Sequence, residues 1–226
     1  MNNNGFFARE GYPFITCAAV VTLLLSLLAG KLCSVALALP AGVSFLLTVF
    51  ILYFFRNPER TPPVDERAVV APADGVVVVV DRVPETPLGA EALKISIFMS
   101  VFNVHVNRAP VNGKVIDKFY HHGKFFDARH GKASFENERC GIILETDKGI
   151  RLAVVQIAGL IARRIVTYPA VGEFLVRGAR YGLIRFGSRL DVYLPITMEP
   201  LVKVGDTTVA GETVLGLLGV SGGSIT

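Results

Sequence analysis

The apolar positions of this chain fall into two regimes. From Tyr12 to Ala29 and from Leu32 to Phe55 no charged residue occurs, and Lys31 stands alone between the two stretches. Each is about long enough to cross ~30 Å of hydrocarbon as a helix. Joined by a very short turn, they predict a transmembrane helical hairpin. Two other readings compete: a signal peptide cleaved near Ala29-Gly30, and a single re-entrant helix broken near Pro40-Ala41-Gly42. A second apolar stretch following at once argues against cleavage. Pro58, Pro62 and Pro63 cannot continue the second helix, so the segment around them reads as a linker. Arg9 precedes the first span and Arg56, Arg60 and Arg67 follow the second. The positive-inside rule then places both ends, and everything after them, on the cytoplasmic side of the cell (inner) membrane. Residues 1–55 are expected to be an anchor and residues 56–226 a separate domain.

Beyond the linker the pattern is almost wholly β. Val76 to Val80 is a continuous valine run and Lys94 to Met99 alternates. Val104 to Asn107 leads to Pro110, and Asn112-Gly113 is the strongest hairpin signal in the chain, with Lys114 to Tyr120 as its return strand. Ile142 to Glu145 and Ile150 to Ile157 are expected to pair across Asp147-Lys148-Gly149. Phe125 to Arg139 reads as a long loop with a helical turn at Ala133 to Glu138, and Ala158 to Ile165 as a short helix or a bent strand. Near the C-terminus, Val202 to Asp206 and Val209 to Leu215 are similar to the hairpins of lipoyl and biotinyl carrier domains, without the carrier lysine. That likeness speaks to architecture alone. The fold class expected is mainly β, a barrel-like sandwich of short antiparallel strands behind a membrane hairpin.

Composition narrows the partners. The chain is 51% hydrophobic with a mean hydropathy of +0.50, too apolar for an ordinary soluble protein. Its net charge of +4 comes without the Lys/Arg runs or stacking aromatics of a nucleic-acid binder. Beside an anchor it fits positive-inside bias or attraction to anionic lipid. Cys17, Cys33 and Cys140 form no disulfide framework, and no CxxC or HExxH motif points to a metal.

The candidate chemistry lies in Tyr181 to Pro195, two short strand-like segments with Gly187-Ser188 between them. Phe186-Gly187-Ser188-Arg189, with Arg177-Gly178 and Tyr181-Gly182 before it and Asp191-Val192-Tyr193-Leu194-Pro195 after it, resembles the processing site of short-form phosphatidylserine decarboxylase proenzymes. Further motifs support the likeness from about Phe54 to Leu218: Phe-Arg-Asn-Pro-Glu-Arg at 55–60, Pro72-Ala73-Asp74-Gly75, Val104-His105-Val106-Asn107-Arg108-Ala109-Pro110, Gly123-Lys124-Phe125 and Asn137-Glu138-Arg139. Each alone is weak; their order and spacing together are specific.

The resemblance implies that the Gly187–Ser188 bond cuts itself, leaving chains 1–187 and 188–226 as a heterodimer. The Ser188 hydroxyl would attack a glycyl carbonyl that is sterically open, on a backbone free to strain. β-Elimination and hydrolysis would then convert Ser188 into a pyruvoyl group, whose ketone forms a Schiff base with the substrate amine. The implied activity is decarboxylation of membrane phosphatidylserine to phosphatidylethanolamine, a step of phospholipid biosynthesis; a homo-oligomer is compatible with it. Asp74 and His105 are implied as the relay that activates Ser188, Asp74 orienting the imidazole and His105 moving the proton. The long bacterial class has two histidines where this chain has His105 and Arg108, so its relay histidine falls on an arginine that cannot act as a base. His121, His122 and His130 stay open as alternative bases. Arg189, where the long class has Thr, and Arg108 are expected to bind the phosphodiester, with Arg163, Arg164, Arg177, Arg180 and Arg185 as a basic rim. Gly223-Ser224 imitates the long-class site, but cutting there would leave a stub with no fold to hold a ketone. Three other functions remain in view: decarboxylation of another amine-bearing acid, a lipoyl-like membrane adaptor that never cuts, and a serine hydrolase, for which the Gly-x-Ser-x-Gly elbow is missing.

Overall fold

The computed structural model describes residues 5–126, 136–159, 164–185 and 187–219. Arg163, His130, Phe186, Gly223-Ser224 and the first half of the turn expected at Ala133 to Glu138 lie outside them. The chain forms two compact units, Met1–Glu59 and Arg60–Thr226.

The first unit is a helical hairpin. α1 (Tyr12–Lys31) and α2 (Val35–Phe54) are each long and apolar enough to cross a membrane. α2 runs unbroken through Pro40, and the reversal falls instead at Leu32 to Ser34, where Cys33 takes a φ of 47°. Leu23, Leu27, Leu39 and Leu46 are all exposed, an apolar surface suited to lipid rather than water. The helices share a polar seam in which the Thr22 hydroxyl lies 2.7 Å from Ser44 and 2.9 Å from Thr48. Such bonds tie helices together where water offers no competing partner. At the open end the flanking segments pair: the Ala8 N–H donates to the Phe55 carbonyl and the Asn57 N–H to the Phe6 carbonyl.

The second unit is mainly β, its antiparallel sheets curling into a half-barrel. Its strands are β1 (Ala68–Val70), β2 (Gly75–Val83), β3 (Ala92–Met99), β4 (Val106–Arg108), β5 (Gly113–His121), β6 (Arg139–Glu145), β7 (Arg151–Ala158), β8 (Arg164–Thr167), β9 (Phe174–Leu175), β10 (Arg180–Arg185), β11 (Ser188–Pro195), β12 (Thr207–Thr208) and β13 (Val214–Leu217). Eight form one sheet in the order β12-β2-β3-β11-β7-β6-β5-β9; β4-β10-β8 form a second, and β1-β13 a ribbon. β11 lies inside the large sheet between β3 and β7, and its alternation separates two environments. Leu190, Val192 and Leu194 enter the main core with Ile95, Ile97, Leu152 and Val154. Tyr193, on the other face, joins Ala92, Ala153, Val155 and Ile157. Each such aliphatic side chain withdrawn from water contributes about 1.5–3 kcal/mol.

The turn at Asp147 to Gly149 joins β6 and β7 as a hairpin, with Glu145 opposite Arg151. Two other pairings differ from the sequence pattern. β4 does not pair with β5 across Asn112-Gly113; it pairs with β10, while β5 pairs with β6 and β9. Pro110 has no N–H to give a ladder, and the Asn112 side chain accepts the Arg177 N–H, so this turn carries the chain from one sheet to another. The C-terminal segments do not pair as a lipoyl-like hairpin either. β12 lies against β2 and β13 against β1. The valine run is likewise interrupted, its register against β3 slipping between Val77 and Val79.

Candidate active site

Ser188 opens β11, opposite Met99 of β3 and Ala158 of β7. It is fully buried, and its Oγ has no hydrogen-bond partner among the described residues. A buried hydroxyl left unsatisfied costs roughly 1–3 kcal/mol, so a native protein keeps one where it has a use. Gly187 before it has φ +52°, a conformation unfavourable for any residue with a Cβ, and open space where a Cβ would stand. The bond between them is therefore presented in a left-handed kink at a strand end, with the hydroxyl inside.

Two registers converge on this spot. β3 ends at Met99, and the turn from Ser100 to Asn103, closed by the Asn103 N–H on the Ser100 carbonyl, returns the chain toward His105. β4 then pairs Val106 with Leu183 of β10 in antiparallel sense, so His105 lies toward the end of β10 that leads into Gly187. His105 is buried, and its Nδ1 is 2.9 Å from the Asn103 carbonyl oxygen. A carbonyl only accepts, so Nδ1 donates, and in the neutral tautomer that this bond selects the lone pair lies on Nε2. His121 and His122 are exposed. His121 lines a cleft of about 440 Å³ with Asp117, Phe119, Arg139, Val155 and Tyr193, on the face of β11 opposite Ser188.

Asp74 precedes β2, whose Val76 pairs with Phe98 at the same end of β3. Gly75 allows this approach: a Cβ there would stand 2.2 Å from the Phe98 carbonyl oxygen. Among the described residues, the bonds of Asp74 run to Arg60 at 3.1 Å and to the Ala210 N–H at 2.8 Å. Arg60 also reaches Glu212 at 3.6 Å. The Arg108 N–H donates to the Pro72 carbonyl and its guanidinium to the Gly178 carbonyl at 2.8 Å, which brings the Asp74 and His105 segments together.

Arg189 stands elsewhere. Alternation turns its side chain to the face opposite Ser188, where it grips Asp191 through two bonds of 2.8 and 3.0 Å, fully buried. Lys94 adds a third contact to Asp191 at 3.1 Å. Burial alone would raise the Asp191 carboxyl, but Arg189, Lys94 and the Ser96 hydroxyl hold it below its ordinary value. Contact with a phosphodiester would require this pair to open.

Sequence reasoning gave no role to several groups that the fold gathers here. Gln156 donates to Asn107 at 2.8 Å, and the Asn107 amide in turn reaches the Met99 sulfur at 3.6 Å, beside Ser188. Asn137 donates to the carbonyls of Ala158 and Phe126, both at 2.8 Å. Arg60 and Asn137 did carry a signal, since both fall in the short motifs at 55–60 and 137–139. Gln156, in an apolar strand, was visible only as a polar interruption.

Comparison with known proteins settles the family. Residues 47–216 match the family model described as phosphatidylserine decarboxylase. The chain belongs to the phosphatidylserine decarboxylase family. Among similar proteins, the phosphatidylserine decarboxylase proenzyme of Pelobacter propionicus is 66% identical over 96% of this chain and 99% of its own length. Those of Trichlorobacter lovleyi and Geobacter sulfurreducens, named in the same words, are 61% and 59% identical over the same shares. The matched region of this decarboxylase begins within α2 and includes Asp74, His105, Arg108, Gly187, Ser188 and Arg189.

Proposed function

We propose that the chain is a proenzyme that cuts itself between Gly187 and Ser188, and that the mature carboxy-lyase converts phosphatidylserine to phosphatidylethanolamine and CO₂. The observation that carries this reading is Ser188 itself, a buried hydroxyl without a partner among the described residues, placed directly after a left-handed glycine. His105 takes the Ser188 proton through Nε2 as Oγ attacks the Gly187 carbonyl carbon. The C–N bond breaks, the amide nitrogen becomes the amine of residue 188, and Gly187 is left as an ester on Oγ. Loss of the α-proton expels Gly187 as a carboxylate and leaves a dehydroalanine. Water then replaces its nitrogen, releasing ammonia and leaving a pyruvoyl group on the 188–226 chain.

The site fits such a group, because residue 188 is fully buried at a strand end and the His105 segment leads toward that end. When formed, the group supplies a ketone that takes up the substrate amine and accepts the electron pair freed with CO₂. Other work falls to the chain's own side chains. His105 returns a proton to the decarboxylated carbon, and Asp74, braced by Arg60, fixes the strand end on which the histidine acts. Arg108 meets the phosphodiester; Arg189 joins it where its pair with Asp191 opens, and in the closed arrangement it holds the start of β11. Chains 1–187 and 188–226 remain together as a heterodimer. The helical hairpin keeps the enzyme in the membrane that holds its substrate, with the second unit on the cytoplasmic side.

Intact-mass analysis tests the reading. The purified protein should resolve into residues 1–187 and a 188–226 chain whose N-terminus is a reducible ketone. His105→Ala should remain a single chain over hours, since losing a general base slows such a step by about 10²–10⁴-fold. A free N-terminal serine on the smaller chain, or an uncut parent protein, would refute the assignment.

A further inference from the structure

The end of the sheet at which Ser188 lies is edged by aromatic side chains from two separate loops. Beyond Met99, opposite Ser188, the turn before His105 carries Phe102, 64% exposed. Beyond Ala158, the other cross-strand neighbour, Asn137 clamps Phe126 by accepting from its N–H and donating to its carbonyl, and by donating to the Ala158 carbonyl. Phe126 is 44% exposed and Phe125 38%. A soluble surface gains nothing from three phenylalanines around one strand end, least of all when a fully buried asparagine fixes one of them there.

Among the described residues, the charges beside this edge are chiefly positive. The Lys124 ammonium lies 5.3 Å from the centroid of the Phe126 ring. Arg164 and Arg185 are directly opposite each other across β8 and β10, just before Gly187. Glu136, 3.4 Å from Lys124, and Glu138 temper the positive field without reversing it. Exposed aromatics interleaved with Lys and Arg fit one partner well, a bilayer surface bearing anionic headgroups, where rings sit at the acyl boundary and cations among the phosphates.

We infer that Phe102, Phe125 and Phe126, with Lys124, Arg164 and Arg185, form a rim that rests on the surface of an anionic bilayer and opens the Ser188 end of the sheet toward it. This rests on the lipid decarboxylase reading and deepens it: the substrate reaches the site without its acyl chains leaving the membrane. The anchor keeps the enzyme at the bilayer, and the rim decides which end of the second unit touches it.

The chain contains no tryptophan, so single reporters can be introduced cleanly. Phe102→Trp, Phe126→Trp and Leu201→Trp are each made in the full chain and reconstituted in vesicles of phosphatidylglycerol and phosphatidylcholine, with and without brominated acyl chains. Leu201 is equally exposed but packs beside β13 near Pro195, at the far end of β11 from Ser188. Side chains seated about 5–10 Å into the interface lie within reach of bromine. Emission from Phe102→Trp and Phe126→Trp should shift to the blue and be strongly quenched, while that of Leu201→Trp should not. Quenching should weaken when phosphatidylglycerol is omitted. Equal quenching at all three positions, or at none, overturns the rim. So does a blue shift without bromine quenching, which would mean that another protein surface covers the rings. The readout does not depend on turnover, so a failed rim and a failed decarboxylase assignment are told apart, and self-cleavage of each variant serves as the check on folding.

Discussion

Asp191 is fully buried between Arg189 and Lys94, and its charge is fixed by them. Removing one member of a buried ion cluster typically costs about 3–5 kcal/mol, because the others stay buried without a counter-charge. Asp191→Asn should therefore lower the melting temperature by roughly 6–20 °C, taking about 2–4 °C per kcal/mol for a domain of this size. The pH dependence has a definite sign. A carboxyl held below its ordinary value of 3.8 in the folded state stabilises fully above that value and progressively less as pH falls through the depressed one. Melting curves from neutral to acid pH should show the parent losing stability on the acid limb and Asp191→Asn losing less. Parallel acid limbs would mean that the cluster contributes nothing. In the sequence, Asp191 was visible as a charge set among Leu190, Val192 and Leu194. Its partners were not, because Lys94 reaches it only through the β3–β11 register, and no local pattern encodes which strand lies alongside.

Individual strands follow closely from alternation and turn residues, whereas their pairing follows only where a short turn joins neighbours. The β6–β7 hairpin could be read from Asp147 to Gly149, while Asn112-Gly113, a stronger turn signal, joins strands of different sheets. Ser188 was legible for a different reason, since the chemistry of its bond demands particular residues in immediate succession. The contacts of Asp74 with Arg60 and Ala210 depend on long-range packing and could not be read in advance. That same long-range pairing bears on the proposed cut at Gly187–Ser188. Among the described residues, the three strands of the 188–226 segment each pair with a strand before it: β11 with β3 and β7, β12 with β2, and β13 with β1. Within the segment itself, β13 adds only a bridge from Gly216 to Pro200 and the Leu201 N–H on the Leu215 carbonyl. A tag at the C-terminus should accordingly recover chain 1–187 in mild detergent, with separation only on denaturation. Release of the small chain under native conditions would show that these ladders do not hold the proposed heterodimer.

At the scale of the whole chain, orientation rests on the membrane hairpin and on where its cations fall. Phe7 pairs with Arg56 in an isolated bridge, flanked by the bonds from Ala8 to Phe55 and from Asn57 to Phe6, so the two ends of the hairpin are tied to each other. Arg9 and Arg56 stand at this tied end, and Lys31 is the one charged residue near the reversal. Each cation retained on the cytoplasmic side biases insertion, and the tied end carries the larger number. The second unit, which follows the tied end, is then expected on the cytoplasmic side. A reporter that is active only in the cytoplasm, fused after Thr226, should be active, and one that works only outside should be silent. Replacing Arg9 and Arg56 by Gln while adding two lysines beside Lys31 should shift the population toward the opposite pattern. If the reporters report the outside for the parent chain, or ignore the charge exchange, the cations do not set the topology, and the cytoplasmic placement of the decarboxylase fails with them.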